Sequence, residues 1–277
     1  MAHVEGSTLV AQAIQREGIE VLFGLAGGPI QDIMGWAPHC GVRPIGVRHE
    51  QAATFAAAAY GYVKNQVGVA VLAAGPGVTN GVTGAHVAYD NCLPLLILGG
   101  SGPQKGRGTG TFQETENVPM FKGITKMAVQ VDSTARLPEF MAMGFRKART
   151  GRPGPVYLDL PSDVLQGTVE EAEVRWLSNY YTVAPPLGHP DQVKRVLAAS
   201  HEILDECIRS GGSVTGEHGI GVEKISFMPK LFTSEDLLMM ARLKSAFNPE
   251  GRCSPGKMFP TAGACIEPSK AGRRAAL

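Results

Sequence analysis

The sequence predicts an α/β fold: a doubly wound, six-stranded parallel sheet over residues 1–165, followed by a small, mostly helical C-terminal fragment. Three observations predict it. Helix-like and strand-like segments alternate through residues 1–165. The strand segments are continuous apolar runs, the mark of strands buried on both faces. Composition agrees: 35 of 277 residues are glycine, 44% are hydrophobic and 18% are charged, against roughly 7% glycine and 25% charge in ordinary soluble chains.

The elements follow in order. Ser7 or Thr8 caps a helix through about Glu17, with Leu9, Val10 and Ile14 on one face. A short apolar strand over 21–25 ends in Ala26-Gly27-Gly28-Pro29. A short helix spans 31–36 and a strand 43–47. Residues 50–64 are alanine-rich and helical. A strand over 68–74 runs into Gly75-Pro76-Gly77, and a helix then reaches Tyr89. Residues 93–98 form a buried strand ending in Gly99-Gly100. A strand over 126–131, a helix over 135–149 and a strand over 155–160 complete six strands. Parallel strands joined by helical crossovers need helices on both faces.

Residues 166–190 read as a linker, with an acidic run (Glu170, Glu171, Glu173) followed by Pro185-Pro186-Leu187-Gly188. A helix is predicted over 191–209, with Val193, Val196, Leu197, Ile203, Leu204 and Ile208 near helical spacing. Residues 213–215 are a short strand candidate. Thr233 or Ser234 caps a second helix that Asn248-Pro249-Glu250-Gly251 stops. Residues 191–260 form the fragment, and 261–277 read as a tail without periodicity.

Charge sets limits on partners. With 26 Lys+Arg against 25 Asp+Glu, the chain has no footprint for nucleic acid or an anionic membrane surface. Between Lys64 and Lys105 the sole charge is Asp90, but Gly75-Pro76-Gly77, Asn80, His86 and Asn91 interrupt the stretch, so no membrane span is read. The five cysteines have no CxxC pair and no regular spacing. Together with the absence of a signal-peptide pattern, they imply free thiols and a cytoplasmic chain. Charge is also uneven. Residues 1–176 hold 25 of the 35 glycines, while the remainder is richer in charge.

Four predicted strand ends could line one cleft: Ala26-Gly27-Gly28, Arg48-His49-Glu50, Gly75-Pro76-Gly77 and Gly99-Gly100. Ligands of parallel sheets bind at the carboxyl ends of strands. Glu50 would stand there as a carboxylate at the mouth of an apolar pocket, suited to proton exchange near neutrality. Equally, it could serve only the helix dipole of 51–64. No glycine loop is a clean phosphate cradle, since GxGxxG after a strand and GxxxxGK[ST] are both absent.

These segments resemble the N-terminal pyrimidine-binding domain of thiamine-diphosphate enzymes. The resemblance runs in order through Val21-Leu22-Phe23-Gly24-Leu25-Ala26-Gly27-Gly28-Pro29, Arg48-His49-Glu50-Gln51-Ala52-Ala53, Ala74-Gly75-Pro76-Gly77-Val78-Thr79-Asn80-Gly81, Asn91-Cys92-Leu93-Pro94, Phe112-Gln113-Glu114 and Gly151-Arg152-Pro153-Gly154-Pro155. The subgroup it looks most like is acetolactate synthase with the 2-hydroxyacyl- and oxalyl-CoA lyases. The resemblance implies catalytic roles for Glu50 and Gln113. Glu50 would hydrogen-bond the aminopyrimidine and drive its imino tautomer, and Gln113 would reach the substrate side of the thiazolium. It implies Gly27, Gly28, His49, Pro76 and Asn80 as positions around the cofactor. It also implies a 2-oxo acid or acyl-CoA type substrate. In this family the diphosphate and Mg²⁺ are held by another domain, through Gly-Asp-Gly and Asn-Asn. Neither motif occurs in this sequence. Mg²⁺ is thus expected only with a partner chain, in a homo- or hetero-oligomer.

A second resemblance covers 191–260. Gly211-Gly212-Ser213-Val214-Thr215-Gly216-Glu217-His218-Gly219-Ile220-Gly221 and Phe247-Asn248-Pro249-Glu250-Gly251 are similar to the C-terminal end of FAD-linked oxidases of the glycolate oxidase D-subunit group. It implies a metal position at Glu217 and a substrate-facing position at His218. The upstream histidine segment and the FAD-binding domain of that family have no counterpart here, so FAD is not expected. Spacing alone reads the Glu217-His218 pair as a structural or surface loop. Three functions follow: the pyrimidine half of a split thiamine-diphosphate lyase or decarboxylase, a non-catalytic gene-fusion remnant, or a flavin-linked hydroxy-acid oxidase component.

Overall fold

The computed structural model describes residues 3–177, 188–216, 219–252, 256–257 and 259–260. Its contacts divide the chain into two units, 1–186 and 187–277.

The first unit is built on six parallel strands: β2 (Val21–Gly24), β3 (Arg43–Gly46), β4 (Gly68–Leu72), β5 (Leu95–Ser101), β6 (Met127–Gln130) and β7 (Pro155–Pro161). Their order across the sheet is β3-β2-β4-β5-β7-β6, with every pair parallel. The predicted doubly wound sheet is therefore the observed one. Period-two alternation splits each strand between two cores. Val69, Val71, Leu96, Leu98, Val156 and Leu158 face a layer with helices α1 (Gly6–Arg16), α2 (Gln31–Trp36) and α7 (Leu137–Arg149). Ala70, Leu72, Leu95, Ile97 and Tyr157 face the other layer, with α3 (Glu50–Lys64), α5 (Val82–Asp90) and α6 (Asn117–Lys122). Each large side chain so buried contributes about 1.5–3 kcal/mol.

The alanine content of α3 has a packing cause. Ala53, Ala57 and Ala58 are buried, and the carbonyl of Ala57 lies where Gly68 would carry a Cβ. Helix and strand touch backbone to backbone there, which larger residues prevent. A short helix, α4 (Pro76–Asn80), separates β4 from α5, with Pro76 in its first turn.

Several local readings are corrected. Helix α1 starts at Gly6 rather than being capped by Ser7 or Thr8. Its N-cap is Glu5, with no side-chain cap. The reason is tertiary. The N–H of Gly6 is taken by the carbonyl of Gly167 at 2.9 Å, and Ser7 is buried within the helix. The start of the 166–190 segment holds structure: after α8 (Ser162–Gln166), strand β8 (Thr168–Glu170) pairs antiparallel with β1 (His3–Glu5). Trp176 is partly buried against the first core and lies under the Arg16 guanidinium at 4.2 Å. Strand β5 runs on through Gly99 and Gly100 to Ser101, because β7 pairs with it as far as Pro161.

The second unit contains α9 (Pro190–Arg209), α10 (Met228–Leu231) and α11 (Ser234–Phe247). Thr233 caps α11 in a reciprocal box with Asp236. Residues 213–215 form no strand; no neighbouring strand in the described unit offers them a ladder. The core is thin. Val214, Phe227 and Met228 are its buried apolar residues among those described. Val196 and Ile203 on α9 remain 69% and 68% exposed, and Phe247 on α11 is 85% exposed. An apolar cavity of about 580 Å³ lies beside Val214, Met240 and Phe259.

Candidate functional site

Strand order creates the site. From β2 the chain moves to β3 on one side of the sheet, and from β4 it moves to β5 on the other. Loops leaving the carboxyl ends of β2 and β4 therefore diverge and open a crevice. The β2 and β4 turns and the start of α3 meet there.

Glu50 is the first residue of α3 and is only 6% exposed. Its neighbour His49 is the helix N-cap, with Nδ1 accepting the Gln51 N–H at 3.2 Å. His49 itself is exposed. The carboxylate of Glu50 turns toward α4. Asn80 Nδ2 donates to Glu50 Oε2 at 2.9 Å. The other oxygen, Oε1, lies against Gly77, where a Cβ would stand 2.7 Å away. Among the described residues Oε1 has no hydrogen-bond partner, and it is not one of the sealed polar atoms. Glu50 thus has one oxygen fixed and one open.

The small residues around it form a cradle. A Cβ on Gly27 and a Cβ on Gly77 would each stand 2.9 Å from the methyl of Ala73. The carbonyl of Gly28 accepts the N–H of Ala74 at 3.1 Å, joining the β2 and β4 turns. Glycine at 27 and 77 keeps this floor flat enough for a planar group to lie beside Glu50. Gly28 meets no such crowding. Pro76 is exposed at the start of α4.

Gln113 reaches the same turn from a distant loop. It adopts φ 57°, uncommon for a non-glycine residue. Its backbone oxygen lies 2.6 Å from the position of a Cβ on Gly75. Gly75 has φ 59° and ψ −113°, a conformation open to glycine alone. The structure therefore brings Glu50, Gly27, Gly28, His49, Pro76, Asn80 and Gln113 to one edge of the sheet. Glu217 and His218 lie outside the described residues. Among the described residues, no group of three His, Cys, Asp or Glu is placed to hold a metal ion.

Sequence reading missed a second polar cluster at the neighbouring strand ends. Asp159 on β7 is 2% exposed. It accepts from Ser101 Oγ at 2.7 Å, Gln130 Nε2 at 2.7 Å, Tyr157 OH at 2.7 Å and Asn117 Nδ2 at 3.1 Å. Four neutral donors hold one buried carboxylate, as burial of a charge requires. Burial, followed by the adjacent Asp159 charge, pushes the Tyr157 phenol well above its ordinary range. Tyr157 also stacks on Phe121, with ring centroids 4.2 Å apart. The available signal was a lone acid inside an apolar strand, Val156-Tyr157-Leu158-Asp159-Leu160.

Two family profiles match the chain. Residues 4–120 match the family profile of the thiamine pyrophosphate enzyme N-terminal TPP binding domain. Residues 180–258 match the C-terminal domain of FAD linked oxidases. The chain is 41% identical over 172 residues to an acetolactate synthase large subunit of Lactococcus lactis subsp. lactis (strain IL1403), covering 61% of this chain and 29% of that protein. It is 38% identical over 170 residues to a 2-hydroxyacyl-CoA lyase of Oryza sativa subsp. japonica, covering 61% and 30%. A probable acetolactate synthase large subunit of Methanococcus aeolicus is 33% identical over 217 residues, covering 76% and 36%. The chain spans about a third of the length of the curated relatives it matches.

Proposed function

We propose that the first unit is the pyrimidine-binding half of a thiamine-diphosphate-dependent lyase or decarboxylase, and that a second chain completes it. The observation that carries this reading is the Glu50 carboxylate, with one oxygen held by Asn80 and the other open over the Gly27–Ala73–Gly77 cradle. The residues present fit the pyrimidine end of thiamine diphosphate. The small residues at 27, 73 and 77 would take a flat ring, and Glu50 Oε1 would be the group to meet its ring nitrogen. When bound, that cofactor supplies an electron sink for breaking a bond next to a carbonyl.

The chain's own residues do the rest. Glu50 exchanges a proton at Oε1, a contribution of about 10²–10⁴-fold for a well-placed acid–base group. Asn80 fixes the carboxylate plane so that Oε1, rather than Oε2, faces the cradle. Ala73 and Gly77 form the floor beside that oxygen. His49 orients the first turn of α3 through its cap. Gln113 borders the cleft from the far loop, on the side of a 2-oxo acid or acyl-CoA type substrate. Mg²⁺ and the diphosphate would be held by the partner, in a homo- or hetero-oligomer. Residues 166–190 mark the join to the fragment 191–260, with 261–277 as its tail.

Co-purification with a diphosphate-binding chain, followed by cofactor titration, tests the reading. Assembly and saturable binding support it, and Glu50→Gln should then abolish deuterium exchange at the thiazolium carbon. No partner and no binding at millimolar cofactor would sink it.

The thin core of the second unit favours a second reading, a gene-fusion remnant without catalysis. A protease-resistant core ending near 165–190 with no cofactor affinity would support that outcome. A yellow purified protein would point instead to a flavin-linked oxidase component, with Glu217 and His218 at its metal and substrate positions.

A further inference from the structure

The loop between β5 and α6 carries a carboxylate that no role above uses. Glu114 accepts the backbone N–H of Gly108 through Oε1, and those of Gly110 and Thr111 through Oε2 at 2.9 and 3.0 Å. Gly108 and Gly110 have φ 81° and 75°, and the amides of Gly108, Gly110 and Thr111 turn toward one carboxylate. Such a nest is an anion-binding concavity. Here the chain fills it with its own side chain. The N–H of Glu114 also returns to the Thr111 carbonyl at 3.0 Å. The amides, with that of Gly108 foremost, hold the Glu114 carboxyl below its ordinary range.

The next residue toward the N-terminus is Gln113, whose left-handed backbone lies on Gly75. Gly75 opens α4, and α4 delivers Gly77 and Asn80 to Glu50. A continuous chain of contacts therefore runs from the filled nest to the open carboxylate.

We infer that Glu114 is a positioning residue: by filling the 108–111 nest it closes the loop and holds Gln113 against the Gly75 turn that backs Glu50. This rests on the proposed function for the meaning of the Gln113 position, but the mechanical link stands without it. A charged acceptor is needed because three amides share one carboxylate, and charge-assisted bonds are roughly twice as strong as neutral ones. A loop ordered only by its own turn would not need Gln113 in a disfavoured φ region.

Amide hydrogen exchange on the full chain tests the link, comparing wild type with Glu114→Ala, Glu114→Gln and Glu114→Asp. The amides of Gly108, Gly110 and Thr111 should exchange on the order of tenfold faster in Glu114→Ala. The amides of Gly77 and Thr79, bonded to Ala74 and Gly75 carbonyls, should quicken with them. Glu114→Gln keeps the size without the charge and should resemble Glu114→Ala, while Glu114→Asp should restore part of the protection. Faster exchange confined to 108–111, with Gly77 and Thr79 unchanged, would overturn the inference. Titration with thiamine diphosphate and Mg²⁺ in the presence of the co-purified diphosphate-binding chain separates the two readings. If wild type fails to bind but the coupled exchange is seen, the functional reading falls and the latch stands. If wild type and Glu114→Ala bind equally well, the latch does not position the site.

Discussion

Asn80→Ala removes the single side-chain donor that fixes Glu50 Oε2. The bond joins α4 to α3 across thirty residues of sequence and involves a carboxylate only 6% exposed. Hydrogen bonds to charged groups contribute about 1.5–3 kcal/mol net. Glu50 Oε1 is open, so water recovers part of the loss and the cost drops to about 1–2 kcal/mol. With a urea m-value of about 2 kcal/mol/M for a unit of this size, the midpoint should fall by roughly 0.5–1 M. Both tryptophans, Trp36 and Trp176, belong to the first unit, so their fluorescence follows its unfolding alone. Asn80→Asp is the sharper variant. It sets a second carboxylate at hydrogen-bond distance from Glu50, and one of the pair must then hold a proton. Its destabilisation at pH 7 should exceed that of Asn80→Ala and shrink on acidification toward about pH 5. A stability for Asn80→Ala within about 0.3 kcal/mol of wild type, or an Asn80→Asp variant no worse than Asn80→Ala at either pH, would refute the argument that this bond orders Glu50.

Other outcomes follow from the same geometry. Glu50→Gln should leave the stability within about 1 kcal/mol of wild type, because the amide oxygen still accepts from Asn80; cofactor-dependent proton exchange in the assembled complex should nonetheless vanish, and a variant that still exchanges would contradict the role given to Oε1. Gly75→Ala should cost at least about 2 kcal/mol, since its φ 59° is strained for alanine and the new Cβ would sit 2.6 Å from the Gln113 oxygen; an unchanged midpoint would show that Gln113 does not pack there. Burial first, and Asp159 second, raise the Tyr157 phenol in the folded chain. Its contribution is therefore complete below the ordinary phenol value of about 10 and is lost as pH rises beyond it. Tyr157→Phe should flatten that alkaline decline while lowering stability at pH 7 by about 1–3 kcal/mol, because Asp159 loses a donor; equal alkaline slopes would be the contrary result. Limited proteolysis should cut residues 187–277 well before the first unit, where the apolar core is dense, and simultaneous loss of both would contradict the contrast in packing.

Much of the fold was legible because its signals are local. Apolar runs such as Val69-Ala70-Val71-Leu72 can be satisfied only by burial on both faces, and alternation with helices then dictates a parallel sheet. The observed bounds of α3, Glu50–Lys64, coincide with the alanine-rich stretch because its packing surface is written in its own residues. Glu50 was legible as a carboxylate at a strand end, and the motif order supplied its likeness to a thiamine-diphosphate site.

The tertiary structure alone decided what depends on distant residues. Strand β8 was hidden in an acidic segment because its partner, β1, lies more than 160 residues away. The start of α1 was misread because Gly167, and not a nearby hydroxyl, takes the first amide. Nothing in the spacing of Gly108, Gly110 and Glu114 announces a filled nest, and nothing near Gln113 announces its seat on Gly75. Sequence by itself determined which strands are buried and which residues were candidates for chemistry, since these are properties of side chains and of short periods. Structure decided which oxygen of Glu50 is free, because that follows from the approach of two helices that the chain joins only after crossing the sheet.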